Sequence, residues 1–194
     1  MNAKLHRNEH GITTLETAII LIAFVVVAAI FAFTVLSTGT FLTEKSKEAA
    51  YAGLQEVRGS MELKGSVVIT GTAVNSNHKT IIFNLAPVSG GSSVDLTKIK
   101  ITYRDQNSNV ELAYDGTITN TIPTNNKWSA TDVSSAPAAM TILPTGSMAK
   151  ITVGLSNAIV SNQTFALEVK PQTGGILLIE RTAPAQLDSI TDLH

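Results

Sequence analysis

The sequence predicts an α+β protein in which a long apolar N-terminal helix precedes an antiparallel β domain. Two observations carry this prediction. An unbroken run of sixteen apolar residues extends from Ala18 to Phe33, and no proline occurs before Pro87. From Gly65 onward, short stretches of alternating apolar and polar residues are separated by Gly, Asn, Asp and Ser, a pattern typical of strands and turns.

The apolar run is long enough to cross a membrane. Extended to Leu36 it spans 19 residues, and a helix needs roughly 20 to cross the hydrocarbon layer. Because it is apolar on every side, it must be buried in lipid or among other helices. Farther on, Leu54, Val57 and Met61 continue an apolar stripe at helical spacing. We therefore expect one helix over 12–64, about 80 Å long, which exceeds a small domain and should protrude from it.

The β domain is predicted over 65–194. The clearest alternation places Ile99, Ile101 and Tyr103 on the inner face of one strand. Further strands are expected at 66–70, 80–85, 110–114, 117–122, 150–155, 165–170 and 176–179. The last of these is wholly apolar, as in a strand covered on both faces. The pattern favours an immunoglobulin-like β-sandwich, and the stretch 124–144 is expected to be a long surface loop.

A short basic segment precedes the apolar run, with Lys4 and Arg7 at its centre, as in signal and anchor sequences. Two processing patterns fit it. An ordinary secretory signal would be cut after the run, near 36–39. Alternatively, residues 1–11 alone are removed and the helix is retained, which Gly11 and Glu16 favour by their position at the start of the run.

Glu16 needs an explanation because a carboxylate costs about 2.5–3.5 kcal/mol at mid-membrane, and less near the interface. Cleavage after Gly11 would create a positively charged amine on Ile12, four residues before Glu16. Glu16 could then pair with that amine or with the amine of a neighbouring chain. The other explanation is that Glu16 only favours the positive end of the helix dipole. The residues alone leave both open.

Composition and motifs give no support to catalysis or nucleic-acid binding. The chain has no cysteine and a net charge of −1, so it lacks disulfides, thiolate sites and a basic surface for phosphates. His78 lies in a polar run that is expected to be a surface turn, and His194 is the last residue. No nucleophile elbow or phosphate-binding loop is present. We expect neither enzymatic activity nor a cofactor, and we assign no metal ligands.

Two segments are candidates for ion binding and modification. Residues 105–111 alternate oxygen-bearing side chains, as at the start of a calcium loop. Val110 and Gly116, however, occupy the positions where an EF-hand requires glycine and glutamate, and a hairpin loop explains the segment at least as well. Asn162-Gln-Thr is the only N-glycosylation sequon in the sequence, so Asn162 is a candidate glycan acceptor on an exported chain.

The stretch from Gly11 to Thr17, together with the apolar run that follows, resembles the class III signal peptide of type IV pilin-like proteins. More narrowly, it is similar to the archaellins, the archaeal flagellins, and so are the C-terminal stretch 167–184 and the ending 192–194. The resemblance implies cleavage between Gly11 and Ile12, with Glu16 as the helix-start glutamate. It also implies that such a chain is often N-glycosylated.

What the resemblance implies for function is a structural subunit of the archaellum filament used for swimming. The precursor would be membrane-inserted, and the assembled chain would lie in an extracellular cell-surface filament. Its expected partners are copies of itself or related archaellins, a prepilin-type signal peptidase, and the archaellum assembly and motor machinery. Two alternatives remain: an archaeal type IV adhesion pilin, and a membrane-anchored β-sandwich that binds a ligand at the surface. Trp128 is the only tryptophan, which gives little support to an aromatic binding cleft.

Overall fold

Two structural units follow one another along the chain, Met1–Tyr51 and Ala52–His194. A computed structural model describes residues 6–116, 122–133 and 139–193, with side chains from residue 13 onward. The first unit consists of the N-terminal helix. The second unit holds the last turns of that helix and a β domain.

Helix α1 spans His6–Arg58 without a break. Its 53 residues correspond to a length of about 80 Å. It ends six residues before the predicted limit of 64, and the β domain begins at Met61 rather than at residue 65. The apolar spacing was misleading at Met61, which is not on the helix but is the first core residue of a strand, 5% exposed. The N–H of Gly59 makes the last helical hydrogen bond, to the carbonyl of Gln55 at 2.9 Å.

The described residues of the β domain contain eleven strands. They are β1 (Met61–Thr70), β2 (Thr80–Pro87), β3 (Val94–Asp95), β4 (Lys100–Asp105), β5 (Asn109–Tyr114), β6 (Lys127–Asp132), β7 (Ile142–Leu143), β8 (Ala149–Gly154), β9 (Thr164–Lys170), β10 (Leu177–Thr182) and β11 (Ile190–Leu193). A 3-10 helix, Leu96–Lys98, precedes β4. Strands β3 and β7 form a separate antiparallel pair.

The remaining nine strands form a sandwich from one continuous ladder, in the order β10-β9-β4-β5-β6-β8-β2-β1-β11. All its pairings are antiparallel except β5 with β6, which run parallel through Ala113–Lys127 and Tyr114–Trp128. This parallel pair joins the two halves of the sandwich. One core lies between them, since the inner residues of both halves, such as Phe83 and Leu167, belong to a single buried cluster.

Most of the predicted strands are present with small shifts in their ends, and Ile99, Ile101 and Tyr103 are buried as expected. The prediction at 117–122 lies almost entirely outside the described residues. The expected surface loop over 124–144 is wrong, because it contains β6 and β7. Trp128 and Ala130 of β6 are buried in the core. Lys127 to Thr131 does alternate between polar and apolar residues, but the alternation includes only two apolar residues within a stretch rich in Ser, Thr, Ala and Pro, a composition that favours a loop.

The expectation that 176–179 is covered on both faces is also wrong for this chain. Strand β10 is the edge strand at one end of the ladder. Leu177 is half-buried and Ile179 is fully buried, whereas Ile176 and Leu178 are exposed. A continuous apolar run in the sequence does not show which segment packs on the outer face of the strand.

Leu167→Ala is expected to lower the free energy of unfolding of the β domain by about 2–5 kcal/mol, because it removes core contacts and leaves a cavity. Leu167 is fully buried on β9, and Leu178 on the neighbouring strand is 60% exposed. Leu178→Ala is therefore the matched control, with an expected change within about 0.5 kcal/mol. Urea unfolding of the full chain in detergent, followed by the fluorescence of buried Trp128, measures both. Equal losses would contradict the assigned burial.

Candidate assembly site

The apolar surface of α1 is exposed in the single chain. Every residue from 13 to 58 is exposed, and the aromatic side chains of Phe24 and Phe33 are 71% and 72% accessible. By length and composition, α1 is able to cross a membrane. An apolar surface of this extent does not persist in water, so it needs lipid or other helices as its surroundings.

Threonine hydroxyl groups along α1 are satisfied by the helix itself. Thr17, Thr34, Thr38 and Thr43 each donate to the carbonyl oxygen four residues earlier, at 2.6–3.0 Å. A threonine bonded in this way makes no demand on water. The polar residues within the apolar half of the helix are therefore compatible with lipid and with a dry helix bundle.

Glu16 is the exception within this segment. It is the only charged residue between 13 and 43, and its side chain is exposed. Helix α1 includes the backbone of both Ile12 and Glu16, and residues four apart lie on one face of a helix. The structure thus brings Glu16 and the backbone nitrogen of Ile12 to the same side of one helical turn. The side chains of residues up to 12 lie outside the described part of the chain.

Two loops of the β domain hold the C-terminus of α1. The N–H of Ser92 donates to the carbonyl of Arg58 at 2.8 Å, and the N–H of Val88 donates to the carbonyl of Ser60 at 3.1 Å. From the other loop, the N–H of Gly175 donates to the hydroxyl of Ser60 at 3.0 Å. The bond to Arg58 satisfies a carbonyl group that the end of a helix leaves without a partner, and the two bonds to Ser60 fix the residue that connects α1 to β1.

Glycines make this junction close enough to form. A Cβ on Gly59 would overlap the backbone of Thr173, and a Cβ on Gly174 would overlap the backbone of Gly59. Gly174 also has φ of +119°, a conformation that L side chains rarely adopt. In the sequence alone, Gly59 is a weak helix former and Gly174 a turn residue. The pairing of the two was not detectable, because it depends on the tertiary approach of 172–175 to the helix end.

Gly174→Ala is expected to destabilise the β domain more than Gly146→Ala. Both glycines have positive φ, but only Gly174 lies against backbone atoms, whereas nothing lies within 4 Å of a Cβ on Gly146. The strain of positive φ costs about 1–2 kcal/mol at either site, and overpacking adds about 1–3 kcal/mol at Gly174. Thermal unfolding of the two full-length variants measures the difference. Equal shifts in Tm would show that the junction is not closely packed.

Asn162 lies at the tip of an exposed turn. Its φ of +60° is in the left-handed region, which asparagine tolerates better than most residues. Its N–H donates to the carbonyl of Pro184 at 3.3 Å, and the turn is closed by the N–H of Gln163 donating to the carbonyl of Val160 at 3.2 Å. The sequon therefore ends just before the first buried residue of β9, Phe165.

Asp105 closes the hairpin between β4 and β5. Its Oδ1 accepts from the N–H of Asn107 at 2.7 Å and of Ser108 at 2.5 Å, and its Oδ2 accepts from Nε2 of Gln163 at 3.1 Å. Burial raises the pKa of Asp105, but these hydrogen bonds outweigh it and hold the pKa below its ordinary value. A lowered folded-state pKa stabilises the hairpin at neutral pH, and this contribution is lost as the pH falls through that pKa. One oxygen of Asp105 holds the hairpin turn and the other accepts from the loop before β9. Within the described ranges no cluster of three or more His, Asp or Glu forms a metal site.

The prediction that His78 lies in a surface turn is wrong. Its side chain is 1% exposed, and its Nε2 lies 2.8 Å from the carbonyl oxygen of Asp188. The imidazole packs against Gly71, where a Cβ would overlap the ring. The polar neighbours of His78 gave no sign of this, because the cover comes from a distant segment of the chain. His194 lies outside the described residues.

An apolar helix whose threonines bond to their own backbone, followed by a β-sandwich, defines the class of protein. It is a protein whose helix needs lipid or other helices around it.

Comparison with known proteins identifies the family. Residues 11–181 match the archaeal-type flagellin family. The chain is 35% identical to probable flagellin 1 of Archaeoglobus fulgidus, over 98% of each chain. It is 31% identical to probable flagellin 1 of Aeropyrum pernix, over 93% of this chain and 95% of that one.

Solved structures agree with the sequence comparison. The structure resembles the archaeal flagellum of Methanospirillum hungatei strain JF1 with a TM-score of 0.64 and 27% identity, over 92% of this chain and 97% of that one. The crystal structure of archaeal flagellin FlaB1 from Methanocaldococcus jannaschii shares the fold, with a TM-score of 0.57 and 14% identity over 69% of this chain and 96% of that one. The chain belongs to the archaeal-type flagellin family, which is a family of structural proteins, and it is a filament subunit.

Proposed function

We propose that this chain is inserted in the membrane as a precursor, is cut between Gly11 and Ile12 by a prepilin-type signal peptidase, and is then built into a swimming filament by the archaellum assembly and motor machinery. Copies of the chain or of related archaellins are its neighbours in the filament. The α1 helices form the filament core and the β-sandwiches its outer layer. The chain itself supplies no power for rotation.

The observation that carries this proposal is the exposed apolar surface of α1. Burying one large apolar side chain is worth about 1.5–3 kcal/mol relative to water, and α1 exposes many of them. Lipid gives this shelter to the precursor, and the helices of neighbouring copies give it to the filament subunit. Small residues such as Ala28 and Ala32, four apart on one face, allow helices to approach closely.

The move from lipid to filament needs a more specific contact than apolar packing, because lipid tails shelter apolar side chains as well as a helix bundle does. Glu16 supplies one. Cleavage after Gly11 frees the amine of Ile12 on the same face of α1, and the match to the family begins at residue 11. An ion pair between Glu16 and the amine of a neighbouring copy forms only when the copies meet. Uncut chains lack the amine of Ile12, so assembly would require cleavage by the signal peptidase.

A strain that lacks this chain tests the function. Without it, native cells are expected to lose the filament and swimming, and the wild-type chain supplied in trans is expected to restore both. Filament and swimming retained at normal levels in the deletion strain would contradict the proposal, once absence of the chain has been verified by mass spectrometry. Filaments restored without swimming would favour an adhesive role.

Glu16→Gln is expected to reduce filament yield at least about tenfold in the same strain, because removing one partner of a buried ion pair costs about 3–5 kcal/mol. The matched control is Glu44→Gln, which removes a charge from the polar part of α1 and should assemble normally. Filaments are counted by electron microscopy of sheared material, and membranes are probed to verify that each variant is inserted. A normal filament yield with Glu16→Gln would contradict the ion pair. The favourable interaction of Glu16 with the helix dipole would then be its only role.

Asn162 is proposed as an N-glycosylation site of the exported chain, since its side chain is exposed at a turn and it carries the only sequon in the sequence. Asn162→Gln is expected to remove the mass of the glycan from the chain isolated from native cells. Asn157→Gln, in the same exposed loop but outside a sequon, should leave that mass unchanged. Intact mass spectrometry distinguishes the two variants. A wild-type chain without added mass, or an added mass that Asn162→Gln does not remove, would refute the assignment.

A further inference from the structure

The outer face of strand β10 is apolar at its beginning, at Ile176 and Leu178, and then carries exposed Glu180, and none of the described residues pairs with or covers the apolar part. Its side chains alternate in direction, so that Ile179 is 2% exposed in the core while Ile176 and Leu178 are 55% and 60% exposed on the other side. Side chains of this type are found on both faces of a strand that is enclosed from both sides. Within the described ranges the chain covers only the inner face of β10.

The backbone edge of β10 is open as well. Its one strand partner is β9, with a regular register from Leu177–Val169 to Thr182–Thr164, and no strand among the described residues pairs with its other edge. Edge strands of soluble proteins are commonly protected from association by a proline, a lysine or a bulge. None of these occurs from 176 to 179. The charged residues Glu180 and Arg181 protect the second half of the strand, so only its apolar first half is suited to association.

The residues beside Leu178 on the outer face are polar or charged. Across the same outer face, the ladder places Leu178 beside Glu168, then Thr102, then Glu111. Ion pairs reinforce the polar part of this face, with Lys100 Nζ 3.0 Å from Glu111 Oε1 and Arg104 Nη2 3.8 Å from Glu168 Oε2. A lipid surface does not suit a face that carries these charges. A protein partner that covers the edge and leaves the charged rows in water does.

The open face also continues toward the end of α1. The N–H of Gly175, one residue before Ile176, donates to the hydroxyl of Ser60, and the N–H of Ser60 lies 3.3 Å from the carbonyl oxygen of Val57. Val57 and Leu54 are exposed apolar residues on the last two turns of the helix, 64% and 51% accessible. The start of β10 is therefore tied, through Gly175 and Ser60, to the last turn of α1.

We propose that the outer face and open edge of β10, with Ile176 and Leu178 at its centre, are a docking surface for a second copy of this chain in the filament. The proposal rests on the proposed function, since it names a contact within the polymer. It extends the interface from the apolar helix to the β-sandwich. The partner copy would supply the second cover that the apolar sequence of β10 calls for.

Single-cysteine labelling tests this contact, because the natural chain has no cysteine. Leu178→Cys and Glu111→Cys place one thiol each in the same row of the same face, on β10 and on β5. A maleimide is reacted with filaments and with the full chain dispersed in detergent. We expect labelling of Leu178→Cys to slow at least about tenfold in filaments, as in the dry centre of an interface. Labelling of Glu111→Cys should change less than about threefold, as on a wet rim.

Equal labelling of Leu178→Cys in filaments and in detergent would overturn the docking surface, while the filaments themselves would leave the proposed function intact. If Leu178→Cys fails to assemble, hydrogen exchange of the wild-type chain gives the same test without a substitution. Amides of 177–182 are then expected to gain protection on assembly, and unchanged exchange would refute the proposal. A wild-type chain that forms no filaments at all would instead contradict the proposed function.

Discussion

The structure depends on one constraint, which is that a helix apolar on every side cannot remain in water. Nothing within α1 relieves this constraint, because its threonine hydroxyls already bond to their own backbone and its large side chains are exposed. The surroundings must therefore come from outside the chain. Lipid and a bundle of identical helices are two environments that meet the need, and they resemble one another closely in how they treat apolar side chains. Exchange between them can be governed by a few polar contacts.

The β domain, unlike α1, buries apolar side chains within the chain itself. It folds around its own core, in which Trp128, Phe83 and Phe165 are fully buried, so its stability does not depend on assembly. The junction at Gly59 and Gly174 joins this domain to the last helical turn through backbone contacts. Backbone contacts of this kind have no rotamers to relax, and so they are suited to transmitting force between the helix end and the sandwich.

Much of the fold could be predicted from the sequence, and the failures share a cause. The helix and strands such as β4, β8 and β9 follow from local periodicity, which is a property of neighbouring residues. The end of α1, the cover of His78 and the strand β6 depend on distant segments, and no local pattern records them. Of the assembly site, Glu16 was detectable as a lone charge in an apolar run. The junction glycines were not, since their role appears only when 172–175 meets the helix end. The apolar run of β10 was misleading, because Ile176 and Leu178 are exposed in the single chain.

The measurement that tests the account most directly is the intact mass and N-terminal sequence of this protein in filaments sheared from its native cells. The account predicts a polymer whose subunits begin at Ile12 and retain the whole apolar helix. A chain that begins beyond Gly39 and is found as a soluble monomer would contradict it, because the helix would then be a discarded signal. A chain that retains Met1 and occurs only in membranes would contradict it as well, because no amine would be available to Glu16 and the helix would be a permanent anchor.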